Sequence, residues 1–131
     1  MPSRRAAKQI HVSIVAGNPA TLEGLRAYFD RVGVASHGTE TVRDVEQMPP
    51  ATTAVVLFPD DFAVEEVEPR LLALRRARPS VLVVLVTREP TSFKTAVSAD
   101  GRSLPPIVLP RPAFGWTILD AIREHAEAGD R

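Results

Sequence analysis

Six consecutive apolar residues, Val81-Leu82-Val83-Val84-Leu85-Val86, constrain the fold of this chain more than any other feature. A strand with one wet face alternates apolar and polar side chains; this run does not alternate. Bounded by Ser80 and Thr87, it reads as a strand covered by protein on both faces, as the central strands of parallel sheets are. Parallel neighbours cannot be joined by tight hairpins, so helical crossovers should alternate with further strands along the rest of the chain.

The remaining periodicities supply that alternation. Ile10 to Ala16 is β-rich, and its apolar residues become continuous toward the end. Asn18-Pro19 then gives a helix cap followed by proline in the first turn, with Leu22, Leu25, Phe29 and Val32 at helical spacing up to Gly33. Val34 to Ser36 makes a short second strand. Thr39 or Thr41 can cap a small helix carrying Val42, Val45 and Met48, stopped by Pro49-Pro50. Ala54 to Phe58 is a third strand, and Val64, Val67, Leu71 and Leu74 mark a helix ending before Pro79. After Thr87 only Phe93, Ala96 and Val97 offer a helix face. Ile107 to Leu109 is a brief fifth strand, and Trp116, Ile118, Leu119 and Ile122 give a final amphipathic helix. Five strand units with right-handed crossovers make one three-layer α/β domain over residues 10–127. Residues 1–9 read as a loose basic tail and 128–131 as a short C-terminal one.

Composition narrows the chemistry. The 131 residues hold 16 basic and 16 acidic side chains, so bulk charge points to neither nucleic acid nor an anionic membrane. Any contact with nucleic acid would come through another domain or a partner. There is no cysteine, hence no disulfide or thiol chemistry. No apolar run is long enough to span a bilayer and the N-terminus lacks a signal-peptide core, so a soluble cytoplasmic protein is expected. His11, His37 and His125 fall on separate elements, without the spacing of a metal site. No phosphate-loop or dinucleotide motif and no Ser-His-Asp spacing occurs, so no cofactor, metal or catalytic residue is expected. The run Arg75 to Arg78 lies at a helix C-terminus, where cations complement the helix dipole.

In this fold class ligands gather at the carboxyl ends of the strands. The residues there are Ala16, Gly17 and Asn18; Pro59, Asp60 and Asp61; Thr87 and Arg88; and Pro110, Arg111 and Pro112. Asp60 and Asp61 raise the sharpest question, since a carboxylate here is either a chemical group or a helix-start charge. With Glu65, Glu66 and Glu68 they place acid ahead of a helix that ends in arginines, and the macrodipole alone accounts for that pattern.

Three segments, in order and at matching spacing, resemble the receiver domain of bacterial response regulators, most of all regulators that carry a DNA-binding domain. GNPATLEGLRAYF is similar to the opening turn and first helix, VLVVLVT places Thr87 at the switch threonine, and PRPAFGWTILDAI is similar to the Lys-Pro-Phe turn and last helix. The resemblance runs from about Ile10 to about Glu127 and implies a doubly wound, flavodoxin-like sheet of order 2-1-3-4-5. It also implies phosphoryl transfer to an aspartate, with two acids holding a metal ion and a lysine over the transferred group. Here the two acids align with Ala16 and Gly17, the acceptor with Pro59, the lysine with Arg111 and the switch aromatic with Val108.

That departure leaves three readings of the aspartates. A one-residue shift would put Asp60 at the acceptor position, because a strand apolar on both faces does not fix its own register. Alternatively both carboxylates start the next helix. In the third reading, Arg111 pairs with Asp60 or Asp61 across the pocket, substituting a fixed cation for a metal. The function implied is a receiver-like domain that works without phosphorylation by binding a protein partner or a second copy of itself in signalling or transcription regulation. Its partner face would comprise Val108, Pro110, Arg111, Pro112, Phe114 and Trp116, with a cis Arg111-Pro112 bond as the resemblance implies. A true phosphoacceptor using Asp60, or a flavodoxin-like domain that binds a small molecule, are the alternatives.

Overall fold

The computed structural model describes residues 10–43, 48–89 and 106–129. In chain order these form β1 (His11–Val15), α1 (Pro19–Arg31), β2 (Ala35–Thr39), β3 (Ala54–Leu57), a 3-10 turn (Pro59–Asp61), α2 (Val64–Ala77), β4 (Leu82–Thr87), β5 (Ile107–Pro110) and α3 (Gly115–Gly129). All neighbouring strands pair in parallel, in the order β2-β1-β3-β4-β5. The tail at 1–9 and the helix face at Phe93, Ala96 and Val97 lie outside the described residues, as does Val45 of the small helix after β2.

The apolar run of β4 divides its side chains between two cores, as period-2 geometry requires. Leu82, Val84 and Val86 point to the layer that holds Leu22, Leu25 and Phe29 of α1 and Ile118, Leu119 and Ile122 of α3. Val83 and Leu85, with Val81 just before the strand, meet Val67, Leu71 and Leu74 of α2, together with Val42 and Met48. β1 and β3 contribute to both layers in the same way, so the sheet is sandwiched between α1 and α3 on one side and α2 on the other.

Local chemistry sets the boundaries. Asn18 Oδ1 accepts from Ala20 N at 2.9 Å and Thr21 N at 3.4 Å, and Pro19 opens α1. The helix closes when Val34 N donates to Phe29 O and Gly33 N to Asp30 O, with Gly33 at φ +82°. That is a Schellman cap with glycine in the left-handed position. β2 is displaced from its predicted 34–36 to Ala35–Thr39. Its Ser-His-Gly-Thr segment has little apolar signal, because an edge strand is specified by backbone pairing with β1 rather than by burial on two faces. Arg75 and Arg78 are also more than dipole complements: Arg75 is buried, and Arg78 donates to the carbonyls of Met48, Pro49 and Pro50, fastening the segment before β3 to the end of α2.

Candidate functional site at the strand ends

The parallel register delivers the carboxyl ends of β1, β3, β4 and β5 to one edge of the sheet, and the flagged residues meet there. Ala16 is fully buried and Gly17 begins the loop into α1. Phe58 N still donates to Val15 O, after which Pro59 turns the chain into the 3-10 turn that carries both aspartates. Pro59 is buried and presents no polar atom. Thr87, with no exposed surface, ends β4. Arg111 follows β5, its N–H donating to Thr87 O at 3.1 Å.

The two aspartates lie in the 3-10 turn ahead of α2 rather than within its first turn. α2 starts three residues after Asp61, at Val64, with no side chain capping it and Glu65 and Glu66 in its first turn. The 3-10 turn instead aims both carboxylates back over the sheet. Asp60 Oδ1 accepts from the Thr87 hydroxyl at 2.6 Å, and Oδ2 accepts from the Arg88 backbone N–H at 2.9 Å. Asp61 Oδ2 accepts from the Gly17 backbone N–H at 3.0 Å. Arg111 stands between them, one guanidinium nitrogen 3.7 Å from Asp60 Oδ2 and 3.7 Å from Asp61 Oδ1. Its guanidinium carbon lies 5.4 Å from the centre of the Phe58 ring, within cation–π range.

These contacts tune Asp60. Burial alone would raise its carboxyl, but the Thr87 hydrogen bond, the Arg88 N–H and the charges of Arg111 and Arg88 together hold it below its ordinary value of 3.8. Its side chain keeps only 22 % of its exposure. The hydroxyl contact has the length of a charge-assisted O–H···O⁻ bond, and such bonds stabilise by more than neutral ones.

A divalent metal does not fit this arrangement. Ala16 and Gly17 offer no side-chain oxygen, and Arg111 lies between the two carboxylates that could have contributed. Among the described residues no group of three or more His, Asp or Glu side chains is placed to hold a metal. Gly17 also cannot simply be exchanged for an acid: a Cβ there would lie 3.0 Å from Asp61 Cβ and 3.3 Å from Asp61 O. Asp61 occupies the space that such a side chain would need.

Four site residues, Asp60, Asp61, Thr87 and Arg111, are thus brought into one polar cluster. Sequence reasoning missed that the backbone N–H groups of Gly17 and Arg88 are acceptors' partners here and that Phe58 underlies Arg111. No residue pattern announces a main-chain donor, but Phe58-Pro59 at a strand end does mark where a ring could sit under the site. Val108, half-buried, packs against the α2-side core. Pro110 and Pro112 are exposed, and the Arg111-Pro112 bond is cis. Phe114 and Trp116 stack on one another with ring centres 4.6 Å apart and planes 5° from parallel, each more than half exposed.

No family model matches the chain, and no curated protein matches it in sequence. Solved structures do match in fold. The signal receiver domain of an HD domain-containing protein from Pseudomonas fluorescens is 16 % identical at TM-score 0.74, covering 92 % of this chain and 97 % of its own. A CheY-like receiver domain protein from Methanospirillum hungatei is 16 % identical at TM-score 0.72, covering 94 % and 98 %. DrrB, a Thermotoga maritima OmpR/PhoB homolog, is 15 % identical at 0.69, covering 92 % of this chain and 54 % of the longer regulator. With the strand order 2-1-3-4-5 and the topology of these neighbours, the chain has the fold of a response-regulator receiver domain.

Proposed function

We propose that this is a receiver-like signalling domain that works without phosphorylation, by binding a protein partner or a second copy of itself rather than by catalysis. One observation carries the reading: the Asp60 carboxylate, which a one-residue shift would put at the acceptor position, already accepts from Thr87 and the Arg88 N–H and lies beside Arg111. Phosphoryl transfer needs a free carboxylate oxygen and a metal to neutralise the developing charge. Asp61 fills the space beside Gly17 where the resemblance puts a metal-holding acid, and one guanidinium nitrogen lies 3.7 Å from both carboxylates. A binding role is supported by the exposed Phe114–Trp116 stack, on the turn that leads directly out of Arg111 and Pro112. Monomeric surfaces seldom leave paired large rings uncovered without a partner to cover them.

The deciding measurement is intact mass after incubation with Mg²⁺ and acetyl phosphate. The unmodified mass should persist at all times and donor concentrations. A phosphoryl adduct mapping to Asp60 or Asp61 would overturn the reading and make the domain a true phosphoacceptor.

A further inference from the structure

Away from the strand-end cluster, toward the amino end of the sheet, two of the three histidines come together. Val12 and Ile14 of β1 face the α1–α3 layer and Val15 faces the α2 layer, so period-2 geometry sends His11 to the α2 side with Ser13 and Val15. On β2, a Cβ at Gly38 would run into Leu22 and Arg26 of α1, which puts the adjacent His37 on the α2 side as well. The parallel register pairs His11 with Ala35 and Ser13 with His37. The two histidines therefore hold one diagonal of a four-residue square whose other corners, Ala35 and Ser13, are small. Both line a cleft of about 120 Å³, together with Ala35, Pro49 and Thr52.

The frame around this pair is fixed. His11 N donates to Thr53 Oγ1 at 3.1 Å and His11 O accepts from Thr53 N at 2.9 Å, so both of its backbone polar groups are tied to Thr53. The buried hydroxyls of Ser13 and Thr52 bond each other at 2.8 Å, and Arg78 donates to the Pro49 carbonyl at 3.1 Å. Diagonal neighbours on adjacent strands stand about 8 Å apart at Cα, a span that two imidazoles and two metal–nitrogen bonds of about 2.0–2.1 Å bridge. Imidazole suits Zn²⁺, Ni²⁺ and Cu²⁺, whereas Mg²⁺ and Ca²⁺ take oxygen ligands. We propose that His11 and His37 form a two-point site for a divalent transition-metal ion of the zinc and nickel class, which staples the edge strand β2 to β1. His37 is exposed, so the ion keeps coordination positions open to solvent. No spacing motif marks the pair, because the register of two parallel strands brings it together. The site is independent of the function proposed above.

Thermal unfolding of the whole chain is followed against Zn²⁺ and Ni²⁺, with Mg²⁺ as the control, and the affinity is measured by titration calorimetry. The midpoint should rise saturably, by about 3–8 °C at ten times the Kd, and return when EDTA is added. His11→Asn and His37→Asn should each weaken binding by about tenfold or more, since a chelate then loses one of its two attachment points. His125→Asn, on α3, should bind as wild type does. A response no larger than that to Mg²⁺ overturns the site, as does binding that survives His11→Asn or His37→Asn, or that depends on His125. Should either variant fail to fold, the imidazole proton signals of the wild-type protein answer by NMR. Those of His11 and His37 should move together as Zn²⁺ is added; a shift confined to one of them, or to His125, overturns the proposal.

Discussion

At Asp60 a single carboxylate serves two strands, and its charge is what makes the contacts strong. The hydroxyl of Thr87 and the amide of Arg88 both donate to the ionised form, so protonation weakens each of them. The sign of the pH dependence follows. A carboxyl held below its ordinary 3.8 in the folded protein contributes stability that is fully present above 3.8 and is lost as pH falls through the lower folded value. Asp60→Asn should therefore be less stable than wild type at neutral pH by about 1 kcal/mol, below the range for buried charged hydrogen bonds because the site is not sealed from water. The difference should shrink toward zero below pH 3.8. Paired thermal melts of the two proteins from neutral pH downward check this; a gap that widens on acidification would contradict the assigned role. The pairing of Arg111 with the aspartates was one of the readings the sequence offered, but the contacts of Asp60 to Thr87 and the Arg88 amide were not. The residues were visible as strand-end polar groups, but a proline-initiated 3-10 turn decides which way the two carboxylates point, and Pro59-Asp60-Asp61 is as compatible with a helix start as with an inward turn.

Elements were legible in proportion to how strongly burial wrote them. β3 is apolar throughout and β4 is apolar up to its last residue, Thr87, while α1 repeats Leu22, Leu25 and Phe29, so each strand stands within one residue of where its pattern placed it. β2 was the poorest of the described elements, because its side chains alternate between exposed and half-buried and its place comes from pairing five residues with β1. The α1–β2 junction shows how an element end can be readable from one residue. Gly33 closes α1 at φ +82°, where a Cβ meets no neighbouring atom but the backbone conformation itself disfavours any L side chain. Gly33→Ala should consequently cost about 1–2 kcal/mol with no change in the fold, since the penalty lies in the left-handed conformation and not in packing. Urea unfolding provides the number. A neutral or stabilising Gly33→Ala would mean that the turn re-forms without the left-handed residue.

Across the whole molecule, one sheet carries two cores, and that arrangement governs how the domain fails. Leu71 of α2 and Ile118 of α3 are both essentially unexposed, yet they lie on opposite faces with the sheet between them. β1, β3 and β4 donate alternate side chains to each face, so neither layer can be lost without stripping the other side's strands of half their contacts. Leu71→Ala and Ile118→Ala should each cost about 2–5 kcal/mol, the range for truncating a buried aliphatic side chain. Because the sites share no partner, the double variant should lose close to the sum. A domain of this size has only about 5–15 kcal/mol in total, so the double variant should sit near or below its folding threshold at 25 °C. Each single variant should still unfold in one cooperative transition, with amides of all the strands exchanging together. Hydrogen exchange that releases the α2 face while β4 and the α1–α3 face stay protected would show instead that the two layers are independent. In that case the strand-end cluster, which ties β1, β3, β4 and β5 together through Asp60, Asp61 and Arg111, could not be held in place by the sheet as a whole.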